Sequence, residues 1–184
     1  MIPDRVHITG ASGSGTTTLA RGIAIEHGHR QIDTDDFYWL GTDPPYTTKR
    51  PPDEPLSLLR AELASTSRWA LAGSLCGWGD PLIPDFQLVV FILVPQDVRL
   101  PRLRAREVER YGAEAVVPGG LRYEAAEGFL AWAALYDDGG LDVRSRALHE
   151  DWLKEMECPV VRLDGNAPVA ELVTKLEQAC AKAV

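Results

Sequence analysis

At 184 residues the chain is long enough for one α/β domain and short for a second; a chain of this size buries about 70% of its unfolded surface. Its net charge of -8 argues against a duplex nucleic-acid binder, which carries a basic face, and favours small phosphorylated ligands over polymers. Only four of the 19 basic residues are lysines, at positions 49, 154, 175 and 182, so the fixed positive charge is mostly guanidinium.

In chain order, Arg5–Thr9 reads as a short strand and Thr16–His27 as a helix with Leu19, Ile23 and Ala24 at helical spacing, closed by Gly28. Arg30–Asp33 reads as a second strand, followed by the acidic and aromatic cluster Thr34–Trp39. Five prolines between Gly41 and Pro55 exclude regular structure there and predict a mobile or substrate-covering loop. Glu54–Thr66 carries Leu56, Leu59 and Leu63 at helical spacing, and Arg68–Gly73 reads as a third strand. Gly73–Pro81 is a second glycine-rich turn, placed where that strand ends.

Leu88–Val94 is apolar without alternation, the mark of a strand buried on both faces of a parallel sheet. An arginine-rich helix is predicted from Pro95 to about Tyr111, a loop over Gly112–Gly120, and helices over about Tyr123–Tyr136 and Val143–Met156. A last strand, Val160–Leu163, and a terminal helix, Pro168–Lys182, complete the pattern. Strands alternating with helices predict a doubly wound α/β sheet with ligands at the carboxyl ends of its strands. Cys76, Cys158 and Cys180 match no metal-ligand spacing and read as reduced thiols. No charged leader precedes Val6 and no apolar run approaches the length of about 20 residues that spans a bilayer, so no membrane contact and a cytoplasmic location are expected. The pattern leaves the oligomeric state open.

The chemistry concentrates between Gly10 and Thr18. A strand, a loop with Gly10, Gly13 and Gly15, and a helix start together make an anion site built from main-chain N–H groups. The phosphate-loop pattern Gly-x-x-x-x-Gly-Lys-Ser/Thr is complete here except that Thr16 stands in the place of the lysine. Thr17 holds the position whose hydroxyl ligates magnesium. The plain alternative is a strand-to-helix turn without a ligand. Losing one charge-assisted hydrogen bond of about 1.5–3 kcal/mol weakens binding by about one or two decades and leaves the main-chain cradle in place. Catalysis is more exposed, because a donor aimed at developing charge is worth about 100- to 1,000-fold in rate. Arg99, Arg102 and Arg106 share one face of the arginine-rich helix, with Arg110 a turn further on, and that face is the candidate for a substitute cation. Taken singly, each of these arginines also reads as solvated helix surface beside Glu107 and Glu109.

The loop, Asp33-Thr34-Asp35 after the second strand, Gly73 after the third, the arginine helix, and Leu163-Asp164-Gly165-Asn166 before the last helix together resemble P-loop kinases of the adenylate kinase and shikimate kinase type. The resemblance covers nearly the whole chain. It implies a three-layer α/β/α P-loop NTPase fold with a five-stranded parallel sheet in order 2-3-1-4-5 and a helical lid at about 107–146. It also implies a substrate-covering segment at about 36–66, within a single domain. By position, Ser12, Gly13, Ser14, Gly15, Thr16, Thr17 and Thr18 would wrap the phosphates of ATP, Asp33 would help hold Mg2+ with Thr17, and Asp35 would orient or deprotonate the acceptor hydroxyl. Asn166 to Pro168 would flank the adenine, Arg102 or Arg106 would lie over the base or phosphates, and Gly73 and Ser74 would border the acceptor.

The rest of the acceptor site is less defined. Tyr38, Trp39, Trp78 and Asp80 sit at predicted strand ends and suit stacking on a base or sugar and pairing with hydroxyls or an amine; Trp39 and Trp78 equally suit a core cap. Asp36 reads as either a substrate contact or a turn-forming aspartate. Tyr136–Gly140 reads as a turn rather than a metal site, and Arg144 and Arg146 are placed to reach phosphates from the lid side. His7, His27, His29 and His149 receive no role. The expected function is an ATP-dependent, Mg2+-dependent phosphotransferase acting on a nucleotide or other small acceptor. Its rival is a nucleotide-binding module or slow NTPase without an acceptor.

Overall fold

The computed structural model describes residues 1–182. Strand β1 (Arg5–Gly10) runs into helix α1 (Thr16–His27), and β2 (Arg30–Asp33) leads to a one-turn helix, α2 (Asp35–Tyr38). Helix α3 (Glu54–Ala64), β3 (Trp69–Ala72) and β4 (Leu88–Leu93) follow, then α4 (Gln96–Tyr111) and α5 (Tyr123–Ala134). Helix α6 (Arg146–Trp152), β5 (Val160–Asp164) and α7 (Val169–Lys182) complete the chain. The five strands form one sheet in the order β2-β3-β1-β4-β5, with every pairing parallel, as the resemblance implied. Strand β1, at the centre, pairs Val6 with Ala70 on one side and with Leu88 on the other.

The unbroken apolar run of β4 divides its side chains between two layers. Leu88, Val90 and Ile92 pack with Val6 and Ile8 of β1 against Leu19 and Ile23 of α1 and Leu172, Val173 and Leu176 of α7. Val89 and Phe91 point the other way, into Leu59 and Leu63 of α3, Leu71 and Trp152. Burying both faces is what an interior parallel strand requires, and it leaves no polar face in the sequence. Strand β5, at the edge, exposes Arg162, whose guanidinium bonds Glu150 at 2.6 Å. A smaller cluster of Leu103, Leu130 and Ala133 holds α5 against α4.

Three predicted stretches resolve differently. The cluster after Asp33 forms α2, and the proline-rich stretch gains one antiparallel bridge, Trp39 to Lys49, that folds it back over α2. The helix expected to reach Tyr136 stops at Ala134, and Gly139 N–H closes the turn on the Leu135 carbonyl at 2.7 Å. The helix expected over Val143–Met156 begins only at Arg146, because Ser145 is its cap. The Ser145 hydroxyl accepts Leu148 N–H at 2.9 Å and donates to the Gly140 carbonyl at 2.7 Å, so residues before it are held outside the helix.

Candidate functional site

The loop between β1 and α1 is held by few bonds of its own. Ser14 N–H donates to the Ala11 carbonyl at 3.1 Å, and Leu19 N–H to Gly15 at 2.9 Å begins the helical ladder. The N–H groups of the first turn therefore have no acceptor within the helix and face outward from its positive end. Gly13 and Gly15 have φ of 80° and 95°, a region that residues with a Cβ rarely adopt. At Gly10 the constraint is space, since a Cβ there would lie 2.7 Å from both the Ile92 carbonyl oxygen and Ser14 Oγ. Gly165, after β5, packs as closely, its own Cβ position lying 3.0 Å from the Ser14 carbonyl oxygen. The loop is thus clamped between the ends of β4 and β5. Asn166 sits in the turn beside it, its N–H bonded to Asp164 Oδ1 at 3.1 Å, and Pro168 precedes α7.

Asp33, at the end of β2, joins the phosphate side to the acceptor side. Thr17 Oγ1 donates to Asp33 Oδ2 at 2.8 Å, and the other carboxylate oxygen accepts Asp35 N–H at 3.1 Å. A hydroxyl and a carboxylate in contact at the mouth of a phosphate loop are hard oxygen donors of the kind magnesium takes. Among the described residues no cluster of three His, Cys, Asp or Glu could hold a metal alone.

Asp35 reaches solvent but is surrounded by protein, and this desolvation raises its carboxyl above the ordinary range. The charge of Asp33 adds to the rise, while Arg144, a hydrogen bond from Trp39 and Arg106 oppose it. Asp36, on the exposed side of α2, is raised for the same first two reasons, burial and then Asp33.

The arginine face of α4 divides by role. Arg99 is wholly buried, its Nε donating to the Val94 carbonyl at 3.0 Å and its guanidinium paired with Asp137. It also reaches the Ser12 and Ala133 carbonyls, so it fastens the phosphate loop to α5 rather than waiting for a ligand. The aspartate of the predicted Tyr136–Gly140 turn is its counter-ion. Arg102 bridges the loop and the turn after β5, with guanidinium nitrogens 3.4 Å from the Gly13 carbonyl and 3.5 Å from that of Gly165. Arg106 stands over the Phe129 ring, 5.8 Å away, and close enough to Asp35 for their charges to act on each other. Arg110 lies 4.8 Å over the Tyr46 ring, joining the end of α4 to the proline-rich loop. The solvated-surface reading does not fit Arg99, which is buried, whereas Arg106 is exposed with its guanidinium against the Phe129 ring.

Opposite the loop, Tyr38, Trp39, Trp78 and Tyr46 form a chain of ring contacts with centroids 5.3 to 6.4 Å apart. Lys49 lies 5.4 Å over Tyr38 and 5.9 Å over Trp39. Trp78 is anchored through Nε1 to the Ser74 carbonyl at 3.1 Å. Gly73, at φ 121°, lets the chain pass Thr34, whose Oγ1 would lie 1.8 Å from a Cβ. Asp80 is differently occupied, since its Oδ1 accepts Trp152 Nε1 at 2.7 Å. That carboxylate braces the core and is exposed outside the aromatic chain.

One buried polar cluster beside the site escaped the sequence reading. His149 is fully buried between Ser74 Oγ, 3.0 Å from its Nε2, and the Tyr136 hydroxyl, 2.7 Å from its Nδ1. Burial lowers its pKa to about 3, with Arg144 and His7 contributing, so the ring is neutral and each nitrogen has one defined partner. Burial and nearby Asp137 raise Tyr136, so its hydroxyl stays protonated. The partners lie 75 and 13 residues away, a separation that no local pattern reveals. A cavity of about 430 Å³ between Arg60, Leu63, Trp69 and Asp85 lies at the amino ends of the strands, opposite the loop.

A protein of Bacillus subtilis (strain 168), designated "Uncharacterized protein YqaC", is 47% identical over 171 residues, covering 93% of this chain and 94% of its own. No protein-family profile matches. Among solved structures, a gluconokinase from Sinorhizobium meliloti 1021 superposes with a TM-score of 0.55 at 18% identity, over 98% of this chain and 93% of its own. A shikimate kinase from Acinetobacter baumannii, in complex with shikimate, gives 0.54 at 16% identity, over 98% and 94%. A shikimate kinase from Bacteroides thetaiotaomicron gives 0.55 at 18% identity, over 96% and 98%. At these identities the likeness establishes the P-loop kinase fold.

Proposed function

The chain belongs to the same family as YqaC of Bacillus subtilis, and we propose that it is a magnesium-dependent P-loop kinase transferring the γ-phosphate of ATP to a small-molecule acceptor. The observation that carries this reading is the bonded line Thr17–Asp33–Asp35 at the mouth of the glycine loop. It sets the metal-side groups and the acceptor-side carboxylate at one fixed spacing. Phosphoryl transfer is mainly a matter of such alignment and of charge neutralisation.

In this reading the main-chain N–H groups from Ser12 to Thr18 bind the β-phosphate, and the turn at Asn166–Pro168 flanks the base. Thr17 and Asp33 would hold Mg2+, which would supply charge neutralisation for the phosphates. Asp35 accepts the proton of the acceptor hydroxyl as its oxygen forms the new bond to the γ-phosphorus. The bond from that phosphorus to the β–γ bridging oxygen breaks, and ADP leaves with the electron pair. A carboxyl with a raised pKa suits a proton acceptor of this kind. Arg102 and Arg106 supply positive charge from α4. Tyr38, Trp39, Trp78, Gly73 and Ser74 border the acceptor, Asp36 stands at its rim, and Asp80 serves as a brace. The segment at 36–66 covers this side, and 107–146 forms a lid that touches it through Arg110 and Tyr46.

Thr16 in the lysine position favours one other reading, a nucleotide-binding module or slow NTPase without an acceptor. The test is ATP turnover with Mg2+, alone and with a panel of nucleoside monophosphates, sugars, amines, gluconate and shikimate, the last two taken from the names of the fold neighbours. The kinase reading expects one acceptor class to raise turnover by at least about tenfold and to appear phosphorylated in stoichiometric yield. Turnover indifferent to every acceptor favours the second reading.

A further inference from the structure

Among the described residues, Arg144 is the one arginine bonded to the first glycine of the loop, and it comes from far along the chain. Its Nη2 donates to the Gly10 carbonyl at 3.2 Å across a separation of 134 residues. No carboxylate pairs with it among the described residues, and its Nε is buried without a hydrogen-bond partner. A charged group left short of partners beside an anion cradle is costly unless a ligand completes it. The side chain lies 6.0 Å over the Trp132 ring and packs beside Ser12, Ala133 and Tyr136, with no room between them for a water molecule. Its backbone is fixed on the next two residues. Ser145 is bonded to Gly140 and Leu148, and Arg146 N–H donates to the Tyr136 carbonyl at 2.7 Å. The guanidinium is therefore presented to the loop by a rigid corner. Thr16 makes no side-chain hydrogen bond among the described residues, so nothing from α1 competes for that place.

Resting on the kinase reading above, we infer that Arg144 supplies the phosphate-contacting cation that Thr16 does not, its free N–H groups donating to the β- and γ-phosphate oxygens of ATP. A guanidinium keeps its charge at any working pH and offers several donors in a fixed fork, so one bond to Gly10 leaves others for the ligand. Arg99 is excluded from the role by Asp137, and Arg102 by the Gly13 and Gly165 carbonyls that its two terminal nitrogens already reach. Arg106 is exposed and lies over the Phe129 ring instead.

The experiment measures Mg·ATP affinity by calorimetry and ATP turnover for the full chain, for Arg144→Gln and Arg144→Lys, and for Thr16→Lys alone and combined with Arg144→Gln. Arg144→Gln is expected to weaken affinity by about tenfold or more and turnover by about 100-fold or more. Arg144→Lys should retain more of both. Thr16→Lys should restore turnover at least tenfold in the Arg144→Gln background while raising the natural chain less than about twofold, since the place is already filled. Turnover of Arg144→Gln within about threefold of the natural chain overturns the inference and leaves the kinase reading standing. So does a marked gain from Thr16→Lys alone. If Arg144→Gln melts early, the double variant decides: folded but not rescued, it overturns the inference. A natural chain that binds no Mg·ATP overturns both readings together.

Discussion

In the proposed function, the phosphate side and the acceptor side of the site are built on different principles. The phosphate side is a short continuous segment, Gly10–Thr18, in which main chain makes the site and glycines are required by backbone angle and by crowding against β4 and β5. The acceptor side is assembled from α2, the proline-rich loop, the turn after β3 and α6. There the side chains of Tyr38, Trp39, Trp78, Ser74 and His149 meet from widely separated positions. The first arrangement makes phosphate binding tolerant of a lost side chain. The second makes specificity depend on several packed contacts at once. Arg144 connects them, a distant side chain set against the local loop.

The sharpest way to break that contrast is Asp35→Asn, which removes the acceptor-side base and leaves the loop untouched. Turnover should fall by about 100- to 10,000-fold with Mg·ATP affinity nearly unchanged; equal losses in both would mean that the two sides are not separable. The raised carboxyl of Asp35 also sets a direction. Below its own pKa it is protonated and cannot take the hydroxyl proton, so kcat should show an acid limb that vanishes in Asp35→Asn.

Asp137→Asn tests the phosphate side from behind. It leaves Arg99 buried without its counter-ion, and the unfolding free energy should drop by about 2–4 kcal/mol, discounted for the partial exposure of Asp137. An unchanged thermal midpoint would show that the loop needs no such fastening. On the acceptor side, Trp39→Ala should raise the acceptor KM by about tenfold and leave the KM for ATP alone, as expected for a stacking contact of about 1–1.5 kcal/mol.

A further effect, on neither side's chemistry, is one of pH on stability. His149 and His7 are held neutral by burial, each with its pKa lowered to about 3. In the unfolded chain they take up a proton at about 6.5, so the unfolded state binds more protons between the two values. Stability should therefore fall as pH drops from about 6.5 toward 3, by up to about 1.4 kcal/mol per unit for each histidine. Denaturant titrations of His149→Gln should show a shallower acid slope. An identical slope would mean that His149 is not buried in the neutral form.

The same contrast explains what was legible in the sequence. Sheet order, the loop, and the Asp33–Asp35 spacing followed from local periodicity and from a resemblance borne by local motifs. Arg99 gave no sign of being buried, because a helical arginine face reads as solvated until Asp137 is brought beneath it by the α5 turn. His149 had no neighbour in sequence that resembles a partner, and its two partners come from β3's end and α5's end. Asp80 looked like a ligand residue because its Trp152 partner lies 72 residues on. Ser145 moved the start of α6, a capping choice that apolar spacing does not record.

The central claim is that Gly10–Thr18 is a working magnesium-nucleotide site despite the threonine at position 16. Titration of ATP into the full chain, with Mg2+ and with chelator, for the natural sequence and for Thr17→Ala, tests it most directly. The account predicts saturable binding of one equivalent that requires Mg2+ and weakens at least about tenfold in Thr17→Ala. Binding absent from the natural chain, or equal in Thr17→Ala with and without Mg2+, would contradict it.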